Sequence, residues 1–284
     1  MIRLGCHSEN FGRYGPEETF SFISRLGFTN IDVAARSLAP QSEIGASPGD
    51  IAGKLKNLAE TWRLKLDELF LGALELKGVT IDPSAGGKAF DPEAYRCFDV
   101  ICGFAKTAGF LSLMGAVGTE NPELGYESSF ENAAGVHRKM LEIAADHGLA
   151  YHVEPSRTSL LNTPQKALRM IDAVPSLRYT LDFLHYHINS VPLNESMVLL
   201  PYAGHMHARQ AAAGKGKCDY ALGEIDYNLI VKEMCRINWT GSIAMEFWNN
   251  AEQDAEGINP VEQNIRMKYE LKCLIGKYFG YVPQ

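Results

Sequence analysis

Hydrophobic spacing along the chain switches repeatedly between a period of two and a period near 3.6. Short apolar runs at 2–6, 31–34, 64–71, 110–114, 150–155, 178–183, 203–208 and 242–247 read as strands. Amphipathic stretches separate them. Pro16-Glu17-Glu18-Thr19 opens the first helix, with proline in the first turn and acids at its positive end. Phe20, Ile23 and Leu26 form its apolar stripe, and Gly27 stops it. Asp50 caps a helix through Trp62, Asp91-Pro92-Glu93 starts one that ends near Gly109, and 128–146 form one closed by His147-Gly148. Thr163-Pro164 caps the next, a short helical piece lies near 194–200, and helices over 225–237 and Pro260–Phe279 finish the series. The stretches 35–49, 74–90, 115–127 and 211–223 read as loops.

Eight strands alternating with helices imply parallel strands joined by crossover helices. In 284 residues that pattern predicts an α/β chain folded as a (β/α)8 TIM barrel rather than an open doubly wound sheet. No Gly-x-Gly-x-x-Gly follows the first strand and no Walker-type phosphate loop occurs. No composition boundary or internal repeat divides the chain, so residues 1–284 are expected to form a single barrel domain.

Composition narrows the partners. The chain is 46% hydrophobic, enough for a large core, and carries a net charge of −7 without a basic run. Nucleic-acid and anionic-membrane partners are not expected, since both need concentrated Lys and Arg. Six scattered cysteines without a Cys-x-x-Cys pair, and an N-terminus without signal-peptide layout, point to a cytoplasmic protein with reduced thiols. No apolar run is long enough to span a bilayer.

The candidate chemistry sits at four strand ends: Tyr151-His152-Val153-Glu154-Pro155, Leu181-Asp182, His205-Met206-His207 and Met245-Glu246. Parallel barrels carry their active sites at the C-terminal ends of the strands. Neighbouring strands lie about 4.8 Å apart, so four consecutive ends can converge on one cation. Glu154, Asp182, His207 and Glu246 form a hard, mostly oxygen donor set. It suits Mn²⁺ first, and Mg²⁺, Co²⁺ or Zn²⁺ as well, and excludes thiolate zinc chemistry. Residues two apart on a strand share a face, which puts His152 below Glu154 and His205 below His207. His205 reads as a supporting or core group. His152 either orients a ligand or serves as a general base.

These segments, with Asp182-x-x-His185 and Gly223-Glu224-Ile225-Asp226, resemble the xylose isomerase-like barrel superfamily, most closely over about residues 150–250. That superfamily includes sugar isomerases and epimerases, inosose isomerases and dehydratases, and an endonuclease IV type. For the epimerase-like members the resemblance implies one Mn²⁺-like ion on two Glu, one Asp and one His. The two Glu, here Glu154 and Glu246, also move protons, while His185 and an Arg contact substrate. The nuclease branch needs an Asp-x-His before its Gly-Glu-Gly; Lys217-Cys218-Asp219-Tyr220-Ala221 lacks it. His207-Ala208-Arg209-Gln210 lacks the acid that usually follows the His-x-His. It is similar instead to catalytic subunits of C-glycoside deglycosidases.

Two enzyme chemistries follow. An isomerase or epimerase of a small sugar, keto sugar or inosose would transfer a proton through a metal-stabilised enediolate. A lyase acting on a 3-keto sugar or glycoside would form the same enolate and then expel a leaving group or water, with His152 a candidate base. A third, non-catalytic outcome is a sugar-binding subunit. Substrate contacts are expected from His185 and Arg209, with His7, Arg157 and the apolar Trp248 as further candidates. The partner is a small carbohydrate. A homo-oligomer, or a small partner subunit for a lyase, is compatible with the chain.

Overall fold

Strands β1 (Arg3–His7), β2 (Asn30–Ala34), β3 (Lys65–Gly72), β4 (Ser112–Ala116), β5 (Ala150–Glu154), β6 (Arg178–Asp182), β7 (Ala203–Ala208) and β8 (Ser242–Met245) pair in parallel with their chain neighbours. Strand β8 also pairs with β1, which closes the barrel. The structure, a computed structural model, describes residues 1–76, 79–88, 90, 92–212, 215–247 and 257–283. The expected (β/α)8 architecture is the one observed.

Alternate strand residues face outward and pack against the helices. Tyr179 donates its hydroxyl proton to Ala167 O at 2.7 Å, and Tyr151 meets Phe98 edge-on at 5.5 Å. Helix termini follow ordinary capping rules. Thr163 accepts from Lys166 N, Asp226 from Leu229 N and Asn259 from Val261 N. The last helix, Pro260–Phe279, returns the chain to its start, where Ile2 N donates to Tyr281 Oη at 2.6 Å.

Several expected loops carry short structure. A helix spans Gln41–Ala46, a hairpin pairs Leu74–Leu76 with Val79–Ile81, and a 3-10 turn covers Pro83–Lys88. Side chains distant in sequence hold these pieces. Gln41 donates to Leu71 O and Ala73 O and accepts from Glu75 N, and Asn132 donates to Ser84 O. Such long-range bonds leave no hydrophobic period for a sequence pattern to report.

The barrel interior is polar in place of the usual layers of branched apolar residues. Two irregularities build it. Strand β3 has one extra residue against β2: Ile31 faces Leu66 while Val33 faces Leu69. This bulge turns consecutive acids, Asp67 and Glu68, into buried sites. Asp67 accepts from Asn30 Nδ2 at 2.9 Å and from Ser242 Oγ. Glu68 accepts from Ser112 Oγ at 2.9 Å and Thr180 Oγ1 at 2.7 Å, and pairs with His152 Nδ1 at 2.6 Å.

The second irregularity puts one extra residue, Gly204, into β7 opposite β6. A Cβ at Gly204 would fall well inside contact distance of His152 Nε2. The glycine is therefore the space in which the His152 ring sits. Gly204→Ala is expected to cost about 1–3 kcal/mol by overpacking. Urea unfolding checks this; an unchanged midpoint would mean that the ring has room to move.

Candidate metal and proton-transfer site

Each of the four expected ligands comes from the C-terminal end of its strand. Glu154 is the last residue of β5, Asp182 the last of β6, His207 lies one before the end of β7, and Glu246 directly follows β8. His207 is fully buried and directs Nδ1 at the two glutamates, 2.9 Å from Glu154 Oε1 and 3.3 Å from Glu246 Oε2. Its Nε2 faces Asp32 Oδ2 at 3.6 Å, a carboxylate behind the imidazole of the kind that orients metal-binding histidines. Ligand atoms of Glu154, His207 and Glu246 lie within 4.8 Å of one another. Two oxygens and one nitrogen at that spacing fit a hard divalent cation.

Asp182 is turned aside. Its Oδ1 accepts from Leu184 N at 2.9 Å, capping the helix Phe183–Ile188. Its Oδ2 meets the Arg209 guanidinium, with Nε at 2.6 Å and Nη2 at 2.5 Å. Nη1 of the same group lies 2.9 Å from Glu246 Oε2. Arg209, a candidate for substrate contact, is buried with its guanidinium between the Asp182 and Glu246 carboxylates, which compensate its charge. Tyr227 fixes its backbone, donating to Arg209 O and accepting from Arg209 N.

The other candidates divide. His185 borders the cluster, with Nε2 3.8 Å from Glu154 and 3.4 Å from Arg209 Nη2. His7 is buried, accepts from Glu9 N and packs edge-on against His207 and Phe70. It ends β1 beside Glu246, and burial lowers its pKa. His152 is one layer beneath Glu154, bound to Glu68 and abutting Gly204. Arg157 is exposed, and its carbonyl accepts from Asn189 Nδ2. Trp248 lies outside the described residues.

Three acids were not singled out from the sequence: Asp32, Asp67 and Glu68. His205 Nε2 pairs with Asp32 Oδ2 at 2.6 Å, and Asp32 Oδ1 accepts from Glu68 N at 3.3 Å. The usable signal was a charge flanked by apolar strand residues, as in Ile31-Asp32-Val33 and Leu66-Asp67-Glu68-Leu69. Such charges are seldom buried without partners. Asp32, Glu68, His205 and His207 also lie within 4.8 Å of one another, with His205 paired to Asp32.

Burial alone would raise all the acids that depend on these partners, yet four are held down. Burial is the largest influence at each, but His205 and His207 together outweigh it at Asp32, His205 and His152 at Glu68, and His185 and His207 at Glu154. Arg209 and His207 outweigh it at Glu246. A depressed carboxylate stabilises the fold above its unfolded value and loses that contribution as pH falls through its folded one. Asp67, raised by burial and then by Asp32, works in the opposite sense. Burial opposes charge on His205 and His207, but their carboxylate neighbours raise both. Their contribution is complete below the ordinary value of 6.5 and is lost as pH rises through the folded values. Melting of the metal-free protein is therefore expected to weaken as pH drops below the ordinary Glu value of 4.5. Melts from pH 6 to pH 3, on the order of the carboxylate range, would contradict this if the midpoint stayed flat.

Beside Glu154 is a cavity of about 270 Å³ lined by Phe70, Ile81, Pro83, Met114 and Val117. Two of its polar side chains, Asp82 and Ser159, are engaged by nearby groups. Asp82 accepts from Thr119 N and Oγ1 and from Ser84 N. Ser159 Oγ accepts from Ser156 N and Leu161 N.

A family model described as xylose isomerase-like TIM barrel matches residues 20–267. A search of curated proteins finds no match. Among solved structures, a D-tagatose 3-epimerase-like protein superposes with a TM-score of 0.75 at 16% identity, covering 97% of this chain and 99% of that one. D-allulose 3-epimerase from Methylomonas sp. gives 0.74 at 17%, covering 96% and 98%. The probable 3-DHS dehydratase AsbF from Bacillus anthracis gives 0.71 at 15%, covering 93% and 98%. At these identities the likeness is one of fold.

Proposed function

The chain belongs to the xylose isomerase-like TIM barrel family, and on that footing we propose that it is a divalent-metal-dependent isomerase or epimerase of a small sugar, keto sugar or inosose. The observation that carries this is the approach of two glutamates, Glu154 and Glu246, to the same nitrogen of His207. Glu154, Asp182, His207 and Glu246 are the ligands, and Mn²⁺ is the proposed ion. A bound cation supplies the charge that polarises a substrate carbonyl and stabilises the anion left when the neighbouring C–H is broken. One glutamate removes that proton and the other returns it. His185, at the edge of the cluster, donates a hydrogen bond to a substrate oxygen. The working unit is the whole chain, 1–284, as one domain in the cytoplasm, with a small carbohydrate as its substrate. No described helix is long and apolar enough to cross a membrane.

The fold is shared with sugar 3-epimerases and with a probable 3-DHS dehydratase, so it is common ground for both readings. A lyase on a 3-keto sugar or glycoside is the second reading, and the apolar cavity beside Glu154 favours it. A bare ketose would leave that cavity without a hydrogen-bonding role, whereas a leaving group could occupy it. His152 is then an additional candidate base.

Metal analysis tests the common premise. Purified protein is expected to hold or take up about one divalent cation per chain. Finding none, with no response to added Mn²⁺, would remove it. Product NMR separates the chemistries: a new stereoisomer marks the isomerase, and loss of water or a substituent marks the lyase.

A further inference from the structure

The placement of Arg209 deepens the metal reading and rests on it. We propose that Arg209 is an exchangeable internal cation: its guanidinium holds Asp182 and Glu246 together in the metal-free protein and must withdraw before Asp182 can become the fourth ligand.

Three observations lead there. Glu154, His207 and Glu246 are mutually close enough to share an ion, whereas Asp182 groups with Glu154 and His185 instead. The guanidinium spans the gap, touching Asp182 Oδ2 through Nε and Nη2 and Glu246 Oε2 through Nη1. Both acids are almost fully buried, so they need a compensating charge whenever no metal ion is bound. A fixed guanidinium supplies one positive charge to the same oxygens that a divalent ion would use. Two cations held on those oxygens would repel each other in a poorly screened interior.

The backbone of Arg209 is anchored on both sides by Tyr227, so the exchange is confined to the side chain. His185 borders the guanidinium on its more exposed side: Nη2 lies 3.4 Å from its Nε2, and its ring is partly exposed. Withdrawal in that direction carries the guanidinium from the ligands toward the mouth. There it would meet a substrate oxygen only in the metal-loaded enzyme. Metal loading and substrate recognition would then be linked through one side chain.

Two measurements test this without relying on turnover. In the full chain, the Nε–H of Arg209 is expected to give a protected ¹⁵N NMR signal in metal-free protein. Addition of one equivalent of Mg²⁺ should shift it and open it to solvent exchange. Titration of free Mn²⁺ by electron paramagnetic resonance should show Arg209→Met binding about tenfold or more tightly than wild type, since the competing charge is gone. Cation binding with the Nε–H signal unchanged would overturn the exchange and leave the metal centre standing. Equal or weaker binding by a folded Arg209→Met would do the same. If neither protein binds Mn²⁺ or Mg²⁺, the metal centre fails and the exchange fails with it. The wild-type NMR experiment stands even if Arg209→Met does not fold.

Discussion

Glu246→Gln is expected to lower turnover by about 10²–10⁴-fold at saturating metal while leaving the circular dichroism spectrum unchanged. The amide keeps the shape of the side chain and can still accept a hydrogen bond, but it cannot carry the proton. Glu154 and Glu246 approach the same nitrogen of His207, and both carboxylates are held below their ordinary range, so both are ionised. A metal-binding defect is removed from the comparison by measuring at several Mn²⁺ concentrations. Full activity in this variant would exclude a scheme in which two glutamates share the proton transfer.

The second large effect concerns stability. Glu68→Ala is expected to destabilise the protein by about 3–5 kcal/mol, because each buried polar group left without its partner costs about 1–3 kcal/mol. It strands His152 Nδ1, Ser112 Oγ and Thr180 Oγ1 together, since all three meet this one carboxylate. Glu68→Gln keeps the volume and part of the hydrogen bonding, so its cost should be about 1–3 kcal/mol. Chemical denaturation of the metal-free protein measures both. A loss below about 1 kcal/mol for Glu68→Ala would mean that the interior network rearranges around the gap.

Both effects come from residues whose legibility in the sequence differed. The barrel was legible because each strand and helix announces itself by its own local period. Pro260–Phe279 was read with the limits that the structure gives. The strand expected at 110–114 lies at 112–116, displaced because Gly115 and Ala116 lack the apolar bulk that marked the run. The pairing of Leu74–Leu76 with Val79–Ile81 was missed because distant Gln41 holds it.

The site shows the same division. Glu154, Asp182, His207 and Glu246 were readable as strand-end groups, and parity put His152 and His205 one layer below. Parity failed at Asp67 and Glu68. A bulge breaks the alternation of faces, and no local pattern marks the extra residue. The pairing of Arg209 with Asp182 and Glu246 was hidden as well. Strand-end position alone does not say whether a guanidinium turns toward substrate or back onto its neighbours.

The most direct measurement follows proton exchange in deuterated water. Keto sugars and inososes would be incubated with Mn²⁺-loaded protein and with chelator-treated protein, and followed by NMR. Deuterium should enter beside the carbonyl of at least one substrate only when metal is bound. Exchange that is unaffected by chelation, or no exchange across the panel with one cation bound per chain, would contradict metal-dependent proton transfer at Glu154 and Glu246.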